Sequence, residues 1–255
     1  FLIIVPVVVT PYISRVLGAA QIGQYSYSYS IVSYFILFAA MGFGLYAQRE
    51  IAKFQNDKVE QSKIFWEIII VRLFSTMISF FSLILLSFIP FFKDYRLLIL
   101  LLSINVFSTC LDTTFIFSGN EDFKQIAIRN FVAKSIIIAS IFIFVKTQND
   151  LWIYTLIQGL SPLFSALFML PFLKKYLVKV SYKELKPTKH IVPCIKLFIP
   201  TIAISIYTML DKTMIGSMIQ GEITVIEDGV EVVKKLSDVE SGYYNQAEKI
   251  VKIFI

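Results

Sequence analysis

Apolar stretches of about twenty residues recur along this chain between short polar segments, and that recurrence excludes most folds. A bilayer core roughly 30 Å thick needs about 20 mostly apolar residues per spanning helix. Residues 23–47, 64–89, 97–117, 125–145, 151–172 and 194–216 meet that need. Residues 1–12 are apolar but short for a span at about 1.5 Å per residue. They read as the tail of a first helix rather than a signal peptide. Residues 242–255 read as the entry into an eighth span. Hydrophobic residues make up 56 % of the chain and charged ones 16 %, more apolar surface than a soluble domain can cover with polar atoms. The expected class is an all-α integral membrane protein with about eight spans.

Lysine and arginine in alternate connecting segments orient the helices. Segments 48–63, 118–124 and 173–196 carry 12 of the 24, and the opposite set, 14–22, 90–96, 146–150 and 217–241, carries 6. The first set is expected on the cytoplasmic side. The net charge of +6 is then a topology signal that needs no nucleic acid to explain it. Segment 173–196 is a basic connector that could touch anionic lipid heads, with Pro187 and Pro193 interrupting helix. On the outer side, two β-branched runs, Glu222–Glu227 and Val230–Lys235, flank Asp228-Gly229, a two-residue hairpin signal. The expected division is a first bundle over 1–172, a linker over 173–196, and a second bundle beginning at 197 with the hairpin inserted at about 222–235.

Residues 22–35 and 241–254 align without a gap. Gly23 matches Gly242, Tyr25 matches Tyr244, Ile31 and Val32 match Ile250 and Val251, and Phe35 matches Phe254, all 219 positions apart. Each copy begins a helix after an outer segment, near Gly18 or Gly216. Six helices separate the copies. An even number gives both the same orientation, so the repeat is parallel, about an axis along the membrane normal. Two parallel six-helix bundles facing one another suit a transporter with a cavity between them.

Ionisable groups inside spans are costly unless they pair or face water, so each is a functional candidate. Arg72 lies about 12 Å into the third helix and Lys134 about 13 Å into the fifth. Asp112 is about 8 Å from the cytoplasmic end of the fourth. Arg129 and Glu67 are shallower. Glu67/Arg72 and Arg129/Lys134 are each five residues apart, so neither pair shares a helix face. Two readings stand: an interhelical network such as Asp112 with Arg72 or Lys134, or a basic cavity for an anionic head group. Arg72, Arg129, Lys134 and Asp112 are the cavity candidates. Asp211, Lys212 and Glu67 are candidates for gating or for receiving a coupling cation, with interfacial solvation the alternative for the first two. Tyrosines near the outer ends of helices two and eight read as interfacial anchors, or as platforms for sugar rings.

Catalysis has little support. His190 is the one histidine, and no nucleophile–base pair or phosphate-cradling glycine loop is present. Cys110 and Cys194 lie in or beside spans without a CxxC pairing, so neither metal nor disulfide is expected. No catalytic residue, metal or cofactor is assigned.

Arg15-Val16-Leu17-Gly18 with Gly23 and Tyr25 resembles the polysaccharide-exporter family, the Wzx-type O-antigen or capsule flippases. Gly44-Leu45 through Arg49-Glu50 fits the same pattern. Asp211-Lys212-Thr213-Met214-Ile215-Gly216, followed by Gly242-Tyr243-Tyr244-Asn245-Gln246-Ala247-Glu248-Lys249-Ile250-Val251, looks like that family's second half. The resemblance implies the multidrug/oligosaccharidyl-lipid/polysaccharide exporter fold of twelve to fourteen helices in two lobes. It also implies an undecaprenyl-pyrophosphate-linked oligosaccharide as substrate, moved outward across a bacterial cytoplasmic membrane and coupled to a proton or sodium gradient. Glycosyltransferases and a polysaccharide polymerase would work beside it, and it would not be an enzyme. The outer hairpin departs from the compact loop expected of the family. A multidrug exporter of the same superfamily is a rival that the basic interior disfavours, and a lipid II flippase is a second.

Overall fold

A computed structural model describes residues 4–227 and 230–254. Its helices, in chain order, are α1 (Ile4–Ala40), α2 (Phe43–Lys53), α3 (Lys58–Ser87), α4 (Arg96–Ser108), α5 (Thr114–Gly119), α6 (Phe123–Phe144), α7 (Leu151–Met169), α8 (Ile191–Met218) and α9 (Leu236–Phe254). Two strands, β1 (Glu222–Glu227) and β2 (Val230–Lys235), pair antiparallel between α8 and α9. Among the described residues, six helical stretches are long and apolar enough to cross a membrane: Val8–Lys53, Lys58–Ser87, Pro90–Gly119, Phe123–Phe144, Gln148–Lys175 and Pro187–Met218. The chain is an all-helical, multi-pass membrane protein apart from the hairpin.

Burial on α3 shows how the bundle meets lipid. Phe74, Ile78, Phe81 and Leu85 recur at helical spacing and are exposed. Arg72, Ser75, Thr76 and Ser79 face the protein and are buried. In water that polarity would be inverted. In a bilayer the apolar stripe is solvated by lipid while polar groups bond inside. Ser75 Oγ accordingly donates to the Ala39 carbonyl at 2.8 Å. Thr76 and Thr109 hydroxyls meet at 3.1 Å, joining α3 to the chain after α4.

Several expectations change in detail. No loop forms over 14–22. Helix runs through, broken only at Gly18 with φ 76° and ψ 171°, because glycine takes positive φ without a Cβ clash. The stretch 23–47 does not continue to Ala47. Left-handed Met41 and Gly42 end α1, and α2 then lies amphipathically with Phe43, Tyr46, Ala47 and Ile51 buried. Gly216 does not end its helix, since α8 continues to Met218. A Cβ there would lie 2.0 Å from the Tyr27 ring, so it is a packing glycine. Pro193 does not break helix either, because α8 begins at Ile191 and a first-turn N–H has no intrahelical partner. The hairpin strands match the expected runs, while the Asp228-Gly229 turn lies outside the described residues. So do residues 1–3 of the expected first-helix tail and Ile255 of the expected eighth span.

The basic segment after α7 is fastened rather than loose. It folds as short 3-10 turns at Leu170–Lys175, Tyr182–Glu184 and Pro187–His190. Val178 N–H donates to Ser62 Oγ at 2.9 Å. Lys175 Nζ and the Tyr176 hydroxyl both reach Asp122, at 2.8 and 2.5 Å. An apolar cluster of Phe43, Ile51, Phe65, Ile68, Phe117 and Met169 underlies this end. At the other end, Lys235 of β2 pairs with Asp94, and Asp238 accepts from the Tyr95 hydroxyl at 2.7 Å and Gln24 Nε2 at 3.0 Å.

Candidate functional site

The fourth expected span is one stretch, Pro90–Gly119, but its helix breaks inside. Sequence explains the break. In Ser108-Thr109-Cys110 each side chain donates to the carbonyl three residues back, at 2.7, 2.6 and 3.0 Å. Such local bonds compete with helical ones. The chain tightens to a 3-10 turn over Thr109–Leu111, and Asp112 is extended at φ −72° and ψ 107°. Asp112 Oδ1 then accepts from Thr114 N–H at 3.1 Å and from the Thr114 hydroxyl, starting α5.

A broken helix in lipid exposes backbone carbonyls that must be satisfied inside the protein. Arg72 of α3 does this. Its Nη1 donates to the Asp112 carbonyl at 2.7 Å, and its Nη2 lies 3.5 Å from Asp112 Oδ2. The Arg72 side chain is 5 % exposed, whereas that of Asp112 is 45 % exposed. Arg129 of α6 approaches from the other side. Its Nη1 donates to Thr114 Oγ1 at 2.6 Å and lies 3.9 Å from Asp112 Oδ1. Asn130 Oδ1 accepts from Arg129 Nε and Nη2, at 3.2 and 2.9 Å.

Asp112, Thr114 and Arg129 open on a cavity of about 390 Å³, whose wall also carries Asn105, Ser161 and Tyr29. Asn105 Oδ1 is buried with no hydrogen-bond partner among the described residues. Pro162, also in the wall, lacks the N–H that would bond the carbonyl one turn earlier in α7. Tyr29 is shared with a second cavity of about 320 Å³, lined also by Tyr25, Tyr154, Lys212, Asn245 and Lys249. The two cavities meet at Tyr29, the first between α1, α4, α6 and α7 and the second between α1, α7, α8 and α9. Their donors, acceptors and aromatic faces suit an anionic, hydroxyl-rich ligand.

Arg72, Asp112 and Arg129 thus come together from α3, the break before α5, and α6. Lys134 does not line this cavity. Glu67, 2 % exposed, lies elsewhere: it accepts from Lys186 N–H at 2.7 Å and meets Lys189 Nζ at 2.7 Å and His190 Nε2 at 2.8 Å. Asp211 and Lys212 of α8 reach α9, where Asp211 accepts from the Tyr244 hydroxyl at 2.7 Å and Lys212 pairs with Glu248 at 2.5 Å. Sequence reasoning missed Asn105, Ser161 and Thr114. The polar residues between Asn105 and Thr114 were a local signal for the first and last of them, and Ser161 had none. No cluster of metal-ligating side chains occurs among the described residues.

The sequence profile of the polysaccharide biosynthesis protein family matches residues 2–254. A protein of Escherichia coli (strain K12), described as a proposed O-antigen transporter, is 27 % identical over 210 residues, covering 80 % of this chain and 50 % of its own. A proposed O-antigen transporter of Shigella dysenteriae is 24 % identical over 220 residues, covering 83 % of this chain and 54 % of its own. The chain spans about half the length of these curated relatives. No solved structure matches it. Six membrane-length helices and these relatives identify a multi-pass protein of a bacterial inner membrane. The chain belongs to the polysaccharide biosynthesis protein family.

Proposed function

We propose that the complete protein flips an undecaprenyl-pyrophosphate-linked oligosaccharide outward across the inner membrane for O-antigen or related surface polysaccharide synthesis. The observation that carries this is the broken helix that turns Asp112 and Arg129 into a cavity that shares Tyr29 with a tyrosine-lined one. Arg129 takes the pyrophosphate, and Asp112 is the counter-ion that holds it when the cavity is empty. Arg72 satisfies the break. Tyr29, exposed where the two cavities meet and backed by Tyr25, offers a flat face to a sugar ring. The substrate is moved, not chemically altered. Coupling draws on a proton or sodium gradient, and glycosyltransferases and a polymerase act before and after.

Alternating access needs two lobes, here a first over 1–172 and a second from 197 onward, in a protein of twelve to fourteen helices. The parallel repeat is supported by a reciprocal contact. A Cβ on Gly23 would sit 1.6 Å from the Asp238 carbonyl oxygen, and one on Gly242 would sit 2.0 Å from that of Ala19. Residues 19 and 238 share the 219-residue offset of Gly23 and Gly242. Contact of i with j′ and of j with i′ is what a two-fold axis produces.

The test is deletion of the complete gene in its host, with complementation by the parent and by Arg129→Glu. Lipid-linked precursor should accumulate on the cytoplasmic membrane face, with surface polymer lost. The parent should restore polymer, and inserted Arg129→Glu protein should not. Normal polymer with raised drug sensitivity would replace this reading with a multidrug exporter.

A further inference from the structure

Beside the charged cavity, α6 and α7 enclose an apolar groove of about 190 Å³, lined by Ile136, Ile137, Ile157, Leu160, Ser161 and Phe164. Ser161 belongs to both walls. We propose that this groove seats the first part of the isoprenoid chain of a pyrophosphate-linked lipid whose head group lies at Arg129 and Asp112. The assignment rests on the reading of the charged cavity given above.

Three observations place that occupant. The groove is apolar and opens beside a cavity whose wall carries the Arg129 guanidinium, the donor an anionic head group requires. On α7, residues 157, 160, 161 and 164 form one face at helical spacing, so groove and cavity are adjacent strips of one helix. On α6, Ile136 follows Arg129 by seven residues, two turns along the same face and about 10 Å along the axis. The lysine and arginine bias runs α6 from the cytoplasmic side outward. The head-group site is therefore nearer the cytoplasm and the groove nearer the bilayer centre. That is the order of head and tail in a lipid of the cytoplasmic leaflet, so substrate could enter between α6 and α7 without inverting. The groove takes only a short branched stretch and leaves the remaining chain in lipid.

The test uses the complete protein in phosphatidylcholine nanodiscs, with undecaprenyl pyrophosphate, undecaprenol and inorganic pyrophosphate as separate probes. Leu160→Trp and Ile136→Trp fill the groove from its two sides, and Ile143→Trp places the same bulk on an exposed position of α6 outside it. Both groove variants should weaken undecaprenyl pyrophosphate and undecaprenol binding about tenfold or more and leave inorganic pyrophosphate unchanged. Ile143→Trp should change none. Equal binding of undecaprenyl pyrophosphate by parent and both groove variants would overturn the groove, whatever inorganic pyrophosphate does. Displacement by equimolar phosphatidylglycerol would overturn it too, revealing a crevice for ordinary acyl chains. Groove-sensitive undecaprenol binding, with inorganic pyrophosphate failing to bind the parent, would keep the groove and overturn the head-group pocket.

Discussion

Replacing Glu67 by alanine should undock the segment that joins α7 to α8, and the size of the effect follows from what Glu67 holds. Its carboxylate accepts from Lys186 N–H, Lys189 Nζ and His190 Nε2, and both it and His190 are almost wholly buried. His190 Nδ1 in turn lies 2.8 Å from the Tyr46 hydroxyl. A neutral ring satisfies both contacts, with Nε2–H donating to Glu67 and Nδ1 accepting from Tyr46. Lys189 is half exposed, so its pair contributes under about 1 kcal/mol. Each of the other two is a hydrogen bond to a charged group, about 1.5–3 kcal/mol when lost with the partner left buried. Together they give about 3–6 kcal/mol, or about two to four orders of magnitude in the docked-to-undocked ratio at about 1.4 kcal/mol per tenfold. Hydrogen exchange of the Lys186 amide in the complete protein reads this ratio. Glu67→Ala should speed that exchange about a hundredfold or more. Glu67→Gln, which keeps an acceptor, should speed it less. Exchange within about threefold of the parent in Glu67→Ala would refute the clamp.

Gly23→Ala and Gly242→Ala each push a methyl into a backbone carbonyl. Each should lower the thermal midpoint in detergent by the equivalent of about 1–3 kcal/mol, and unchanged midpoints would remove the close α1–α9 contact. Gly159→Ala places its Cβ 2.7 Å from the Leu101 carbonyl oxygen and should spread α4 from α7 at a similar cost, read by the same measurement. Asp122 is held below the usual carboxylate range, first by its hydrogen bond from Lys175 and then by that from Tyr176. Its contribution is therefore present above about pH 4 and lost as pH falls through its lower folded-state value. The parent's thermal midpoint should drop more between pH 5 and pH 3 than that of Asp122→Asn, and parallel drops would count against the tether.

Much of the architecture was legible in the chain because it depends on local quantities. The length of each apolar run sets whether a helix can reach across a bilayer, and 64–89, 125–145 and 151–172 reappear as α3, α6 and α7 within a few residues. The hairpin strands follow from β-branched runs on either side of a turn dipeptide, and their limits match. Depth is local too, since rise per residue already carries Arg72 and Asp112 into their spans. Direction around the axis within the bundle, and the neighbour met there, are not local. Arg72 and Lys134 look equivalent by depth, yet packing turns Arg72 onto the carbonyl of a broken helix 40 residues away and leaves Lys134 outside the cavity. Glu67 is shallow by depth, and its partners come from 119 and 123 residues along the chain. The break at Asp112 lies between the two cases. Hydroxyl and thiol side chains that compete for backbone carbonyls made it possible locally, and only an arginine from another helix, satisfying the freed carbonyl away from lipid, made it stable.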